Sequence, residues 1–186
     1  MEAEHQLIFK VADQPWEFEQ ICRLNYMTFV EEIPQHSPNP RKALIDRLLA
    51  KSICFICLKN SRLLGMVTVC GERPFSLDAK LPNLDSYIPP GSRPCEIRLL
   101  AIERAYRGGP VFAGLLRCLI RYCRDAGYTL GLVSAAVRQE KLYRHLGFVA
   151  FGPPLGTAAA LYQGMHLTWD RLAETGLLLI DERRET

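Results

Sequence analysis

A strand, a glycine-containing turn and a helix follow one another between residues 96 and 126, and they include the residues best suited to chemistry. The turn reads Arg107-Gly108-Gly109-Pro110. A Gly-rich turn that opens a helix directs backbone N–H groups at one point, where the helix dipole adds partial positive charge, so it can hold a phosphate group. The alternative is structural, because a tight strand-to-helix turn needs glycine for its backbone angles.

The elements around this turn predict an α/β chain. Strands are expected at residues 6–11, 52–58, 63–70, 96–102, 130–135, 148–151 and 159–167. Helices are expected at residues 13–30, 39–49, 111–126 and 138–146, with the last two stopped by Gly127 and Gly147. The order indicates a mixed sheet with early antiparallel hairpins and a central βαβ crossover. Residues 71–94 read as a long irregular segment, and residues 152–156 as the last turn.

Composition narrows the class of protein. The chain has 186 residues, which favours one domain, and its hydrophobic content of 48% excludes a wholly disordered chain. The net charge of +3 is too weak to predict binding to nucleic acid. No apolar run reaches the roughly 18 residues that span a bilayer, and the N-terminal segment lacks the apolar core of a secretory signal.

Seven cysteines, an odd number without a signal peptide, predict reduced thiols in a cytoplasmic protein. Cys54 and Cys57 have the spacing of a metal-ligand pair but lie within a predicted strand, where residues three apart face opposite sides. No second pair has matching spacing, so no metal site is predicted. Nothing marks one thiol as a nucleophile, because a buried free cysteine usually behaves as a small hydrophobic residue.

Two stretches resemble the GCN5-related N-acetyltransferase (GNAT) superfamily. Its motif A is similar to EIRLLAIERAYRGGPVFAGLL, and its motif B is similar to KLYRHLGF. The resemblance covers roughly residues 6–167. It implies a single α/β domain, residues 1–168, with a mixed, splayed β-sheet flanked by helices, followed by a tail or linker at 169–186. The splayed strands would be residues 96–102 and 130–135, with the pantetheine arm of an acyl thioester between them.

Two further segments resemble one branch of the superfamily. They are YMTFVEEIPQHSPNP and residues 72–103, and they are similar to N-acyl amino acid synthases, to acyl-homoserine-lactone synthases and to acyltransferase domains fused to aminotransferase-like domains. The branch implies an N-acyltransferase that moves an acyl group from a thioester to an amine of a small molecule or amino acid. The donor would be acetyl-CoA or a longer acyl-CoA, or the phosphopantetheine of an acyl carrier protein. The sequence leaves open whether the protein forms a homodimer. The alternative function is that of a non-catalytic pantetheine-binding, sensor or docking domain.

The resemblance also suggests catalytic residues. Tyr143 is the candidate general acid, because a phenol stays protonated at pH 7 and can protonate the leaving thiolate. The structural alternative is a core tyrosine beneath Leu146 and Phe148. The candidate acceptor-side groups, which could deprotonate the amine, are Glu31, Glu32, His36 and Glu96. Their alternatives are a solvated helix end for the first three and a sheet-end partner of Arg98 for Glu96.

Donor binding is expected along motif A. Backbone N–H groups of Leu100, Ala101 and Ile102 would polarise the thioester carbonyl. The pyrophosphate site would comprise Arg107, Gly108, Gly109, Val111 and Phe112. Pro110 and Phe112 stand where the family has glycines, Pro110 lacks an N–H, and Ala136 replaces a common Asn. These departures favour a carrier-protein donor, whereas the breadth of the resemblance favours acyl-CoA. Arg117, Arg121 and Arg124 share a helix face that could meet an acidic carrier protein, or simply be solvated.

Overall fold

The computed structural model describes residues 6–157 and 160–174. Seven strands form one mixed sheet in the order β1-β2-β3-β4-β5-β7-β6. The strands are β1 Ile8–Val11, β2 Ser52–Lys59, β3 Arg62–Cys70, β4 Pro94–Ile102, β5 Leu130–Ala136, β6 Val149–Thr157 and β7 Ala160–Thr168. The helices are α1 Pro15–Tyr26, α2 Ser76–Lys80, α3 Pro110–Asp125, α4 Glu140–His145 and α5 Trp169–Glu174. The predicted α/β class with a mixed sheet is confirmed.

The chain divides into two compact units, and the first contains residues 6–70 and 98–121. In it β1, β2 and β3 pair antiparallel. Asn60 and Ser61 turn the β2–β3 hairpin with φ of 51° and 58°, the left-handed values that suit a two-residue hairpin loop. Ile21 of α1 belongs with Ile56 and Met66 to the buried hydrophobic core of this unit.

The buried carboxylate of Glu17 accepts several hydrogen bonds at the start of helix α1. One oxygen accepts the N–H groups of Asp13 and Gln14, and the other accepts the Lys10 ammonium at 2.8 Å. Burial opposes ionisation most strongly, yet these partners together hold the pKa of Glu17 below its usual value. The helix begins within two residues of the predicted position, and Glu17 supplies the capping oxygen.

The helix predicted over residues 39–49 is absent, so that prediction is wrong. Its backbone groups find tertiary partners instead, since the Leu44 N–H donates to the Cys22 carbonyl and the Asn39 amide donates to the Ala43 carbonyl. Ile45, an apolar residue in the middle of this segment, is 70% exposed. The bidentate ion pair of Asp46 with Arg98 of β4 fixes the segment in an irregular conformation.

The second unit contains residues 71–97, 122–157 and 160–174. Here β5 pairs antiparallel with β7, and β7 with β6. The turn predicted at residues 152–156 is wrong, because β6 continues through it with a register shift between Phe151 and Leu155. β6 is an edge strand, where prolines are tolerated, and the Gln163 amide satisfies the carbonyls of Phe151 and Gly152. The connection to β7 lies at residues 158–159, outside the described residues.

Residues 71–94 form a packed segment rather than an irregular loop. They contain α2 and a 3₁₀ turn at Leu84–Tyr87. Four apolar side chains of the segment are buried, namely those of Phe75, Leu77, Leu81 and Leu84. Arg73 bridges Asp78 and Asp85, which ties α2 to the 3₁₀ turn. For brevity we call residues 71–93 the strap.

Two more features bear on the predicted boundaries. Within the second unit, β4 and β5 pair in parallel at Pro94–Glu96 with Leu130–Leu132. Helix α5 begins the predicted tail, and there Trp169 Nε1 donates to the Tyr128 carbonyl at 2.6 Å while Leu172 is buried. Residues 175–186 lie outside the described residues. Among the described helices, none has the length and apolar character needed to cross a membrane.

Candidate functional site

The turn between β4 and α3 offers unused backbone donors. Gly108 has a φ of +72°, which only glycine adopts without strain, and a Cβ there would meet no atom within 4 Å. Within the described part of the chain, no group accepts the N–H of Gly108, Gly109 or Val111. The N–H of Phe112, by contrast, donates to the Gly109 carbonyl at 3.2 Å. Three N–H groups at the start of a 16-residue helix therefore remain available to an anion.

Strand β4 carries a backbone irregularity at Leu99. Its φ of +52° is left-handed, an uncommon conformation for a residue with a branched side chain inside a strand. A residue of this kind interrupts the regular alternation of N–H directions and re-aims its neighbours. The neighbours here are Leu100, Ala101 and Ile102, the residues predicted to polarise a carbonyl.

Arg107 joins the end of β4 to a helical turn that follows α1. Its Nε donates to the Ile102 carbonyl at 2.9 Å, and its Nη2 donates to Glu32 at 2.6 Å. Glu32 ends a π-helical turn, Met27–Glu32, a rare element that is frequent at functional sites. Arg107 is thus held by protein groups and positions this edge of the first unit.

The remaining acceptor-side candidates of the first unit differ in their partners. Glu31 and His36 are exposed, and no ion pair or hydrogen bond to either is found among the described residues. Glu32 is engaged by Arg107. Glu31 is therefore the carboxylate of the pair that is available to take up a proton.

Glu96 lies in the second unit and is fully buried. One of its oxygens accepts the Ser76 N–H at 2.7 Å, and the other accepts the Ser76 hydroxyl at 2.7 Å and the Leu77 N–H at 3.0 Å. The carboxylate caps α2 and anchors the strap. Arg98, in the first unit, forms an ion pair with Asp46.

Tyr143 lies on α4, also in the second unit. Its half-buried ring packs edge-on against Phe148 at a centroid distance of 5.4 Å. Burial raises the pKa of Tyr143 to about 12, so the phenol keeps its proton at neutral pH. A general acid must carry its proton, and this phenol does, but a raised pKa also makes it a weaker acid. The ring contact suits a packing role.

None of the cysteines, which all lie among the described residues, is distinguished as a nucleophile. Burial raises the pKa of Cys54 to about 12 and that of Cys57 to about 11, so both thiols stay protonated. None of the seven cysteines, all of which lie among the described residues, forms a disulfide. Within residues 6–157 and 160–174, no group of three His, Cys, Asp or Glu side chains is arranged to hold a metal ion.

The family model of the N-acyl amino acid synthase FeeM matches residues 20–166. The chain belongs to this family. It is therefore an N-acyltransferase, which moves an acyl group from an acyl thioester to an amine. The FeeM family assignment favours an enzyme over the non-catalytic pantetheine-binding domain that the sequence left open.

Solved structures share the fold of this FeeM family member at low identity. FeeM, an N-acyl amino acid synthase from uncultured soil microbes, is 15% identical over 94% of this chain and 95% of that chain, with a TM-score of 0.72. BjaI, a CoA-dependent acyl-homoserine lactone synthase solved with SAM and isopentyl-CoA, is 19% identical over 85% and 79%, with a TM-score of 0.69. An aminoglycoside 6′-N-acetyltransferase complexed with coenzyme A is 13% identical over 87% and 96%, with a TM-score of 0.61. No curated protein sequence matches the chain.

Two features of this FeeM family member escaped sequence reasoning. The π-helical turn carries no composition signal, because Met27–Glu32 continues the apolar spacing of α1. Leu99 gives no signal either, since leucine is not a residue that favours positive φ. Leu99 packs partly buried against the core of the first unit.

Proposed function

We propose that this protein acylates the α-amino group of an amino acid, with an acyl-CoA as the donor. The observation that carries the proposal is the left-handed Leu99 in β4, followed within ten residues by the open N–H groups of Gly108 and Gly109. Such a strand and turn can hold the two polar parts of an acyl-CoA, its thioester carbonyl and its pyrophosphate. Membership of the N-acyl amino acid synthase FeeM family supports an amino acid as the acceptor.

The chemistry is a direct transfer in a complex with both substrates. The amine nitrogen attacks the thioester carbonyl carbon, and a C–N bond forms. Negative charge develops on the carbonyl oxygen, which accepts hydrogen bonds from the N–H groups of Leu100–Ile102. The C–S bond then breaks, and the coenzyme leaves as a thiolate. We assign no thiol nucleophile, and the buried thiols of Cys54 and Cys57 stay protonated.

Two proton transfers complete the reaction. The attacking amine must lose a proton, and we assign this to Glu31, directly or through a water molecule. The departing thiolate must gain one, and we assign the phenol of Tyr143, which burial keeps protonated. Glu32 and Glu96 are assigned positioning roles, through Arg107 and through Ser76 respectively.

The choice of acyl-CoA over an acyl carrier protein rests on the turn. Pro110 removes one donor, yet the N–H groups of Gly108, Gly109 and Val111 have no acceptor among the described residues. A carrier-borne pantetheine has no diphosphate and would not need them. Solved relatives of the same fold include complexes with isopentyl-CoA and with coenzyme A.

An assay of donors against acceptors tests this function. The purified full chain is incubated with acetyl-CoA, decanoyl-CoA or decanoyl carrier protein, each with the twenty amino acids and with simple amines, and products are identified by mass spectrometry. We expect N-acyl amino acids from at least one acyl-CoA. Turnover with the carrier-borne donor alone would overturn the donor assignment, and acylation of amines without any amino acid would overturn the acceptor assignment.

A further inference from the structure

The short helix α2 is fixed at both ends within the second unit. At its first turn, Ser76 and Leu77 donate three hydrogen bonds to the buried Glu96. At its last residue, the Lys80 ammonium donates to the Ser134 hydroxyl of β5 at 2.8 Å. The buried side chain of Leu77 lies between these two contacts in the helix. Lys80 therefore has a defined position on β5, although the residue itself is exposed.

Tyr162 of β7 completes this cluster, which we call the Lys80 cluster (Lys80, Ser134 and Tyr162). The Lys80 ammonium lies 4.2 Å from the centroid of the Tyr162 ring, a cation–π distance. In the sheet, Ser134 pairs with Gly164 and Ala136 with Tyr162, so the three side chains meet over neighbouring strands. Burial raises the pKa of Tyr162, so its phenol stays neutral and adds no negative charge to the cluster.

The Lys80 cluster presents two adjacent donors to a single anion. The Ser134 hydroxyl oxygen accepts a hydrogen bond from the ammonium, which leaves its own O–H to donate elsewhere. Among residues that the structure describes, none accepts that hydroxyl proton. A lysine ammonium beside a hydroxyl donor suits the two oxygens of a carboxylate. The guanidinium of Arg138, exposed on the turn after β5, adds positive charge near the Tyr162 phenol.

We infer that Lys80 and Ser134 bind the carboxylate of the amino-acid acceptor. The inference rests on the proposed function, in which the acceptor has one amine that reacts and one carboxylate that does not. A fixed partner for the carboxylate orients the amine and selects amino acids over amines without an acid group. The donor's phosphates have separate candidate partners in the N–H groups of Gly108, Gly109 and Val111.

The test compares each amino acid with its own carboxamide, which keeps the amine and side chain but lacks the negative charge. kcat/KM is measured for both, with the donor found in the assay above, for the native protein, Lys80→Met, Lys80→Arg and Ser134→Ala. Lys141→Met is the matched control, because it removes an exposed lysine of the same unit. Melting temperatures are recorded for every variant.

We expect the native protein to prefer the amino acid, and Lys80→Met to lower kcat/KM for it by about tenfold or more with little change for the carboxamide. Lys80→Arg should keep part of the preference, Ser134→Ala should lose part of it, and Lys141→Met should keep it all. If Lys80→Met does not fold, Ser134→Ala and Lys80→Arg carry the comparison.

Three results would overturn the inference. An unchanged preference in Lys80→Met and Ser134→Ala, with amino acids still acylated, would remove this inference alone. A rise in the KM of the acyl donor without a change in preference would assign the Lys80 cluster to a donor phosphate. A native protein that acylates amines but no amino acid would remove both this inference and the proposed acceptor.

Discussion

At the scale of single residues, a substitution of Tyr143 tests whether this residue is a general acid or only a packing residue. Tyr143→Phe keeps the edge-on ring contact with Phe148 and removes only the phenol. If the phenol protonates the leaving thiolate, kcat should fall about ten- to a thousandfold while donor affinity holds. Tyr122→Phe is a matched control, since burial also raises the pKa of Tyr122 in the same unit. Unchanged kcat with a lower melting temperature would leave Tyr143 a packing role only.

The pH dependence of Tyr143 has a defined sign. Its folded-state pKa, about 12, lies above the usual value of 10, so folding favours the protonated phenol. The resulting contribution to stability is present below pH 10 and declines as the pH rises from 10 towards 12. Acid catalysis by this phenol should therefore show no loss below about pH 10.

Glu31 and Glu32 are adjacent, but the structure gives them different surroundings. We expect Glu31→Gln to lower kcat/KM by about ten- to a hundredfold, because the amide cannot take the amine proton. Glu32→Gln breaks the half-exposed pair with Arg107 and should cost at most about 1 kcal/mol of stability, measured by urea unfolding. A larger loss of kcat/KM in Glu32→Gln than in Glu31→Gln would reverse the assignment.

At the scale of the element, the β4–α3 turn can be tested with two glycines of the same geometry. Gly108 and Gly91 have φ of +72° and +78°, and a Cβ on either would meet no neighbour within 4 Å. Alanine at either position should therefore lower the free energy of unfolding by a similar amount, roughly 1 to 2 kcal/mol, from backbone strain alone. Only Gly108→Ala should also raise the KM for acyl-CoA, because Gly108 belongs to the turn proposed to bind the donor's phosphates. Gly91 lies in the strap, away from that turn in sequence. Equal KM values in the two variants would argue against phosphate binding at this turn.

Elements also differ in how far local sequence determines them. The β2–β3 hairpin follows from two β-rich runs with a short polar turn, and Asn60 and Ser61 adopt the left-handed angles locally. The apolar spacing at residues 39–49 also predicted a regular element, a helix, that the structure does not contain. In the structure Asp46 of this segment pairs with Arg98, a residue 52 positions away. A contact of that range is invisible to a local pattern.

At the scale of the whole molecule, the strap is part of the second unit's core. Its buried leucines and the Glu96 anchor give this segment a structural role. Glu96→Ala would leave the Ser76 and Leu77 donors buried without an acceptor, which should cost about 3 kcal/mol in urea unfolding. Glu103→Ala, which breaks an exposed pair with Arg62, should cost at most about 1 kcal/mol. A stable but inactive Glu96→Ala would instead indicate the general base that the sequence allowed.

The sequence by itself determined the α/β class, the order of most elements and the acyltransferase resemblance. These depend on periodicity and on short motifs such as RGGP and KLYRHLGF, whose residues are neighbours along the chain. Only the tertiary structure decided that Glu96 caps α2, that Arg107 binds Glu32, and that Leu99 turns the backbone of β4. It also brought Lys80 to Ser134, 54 residues further along the chain. The partner of a charged or polar side chain depends on which distant segments fold against it, and no local pattern encodes that choice.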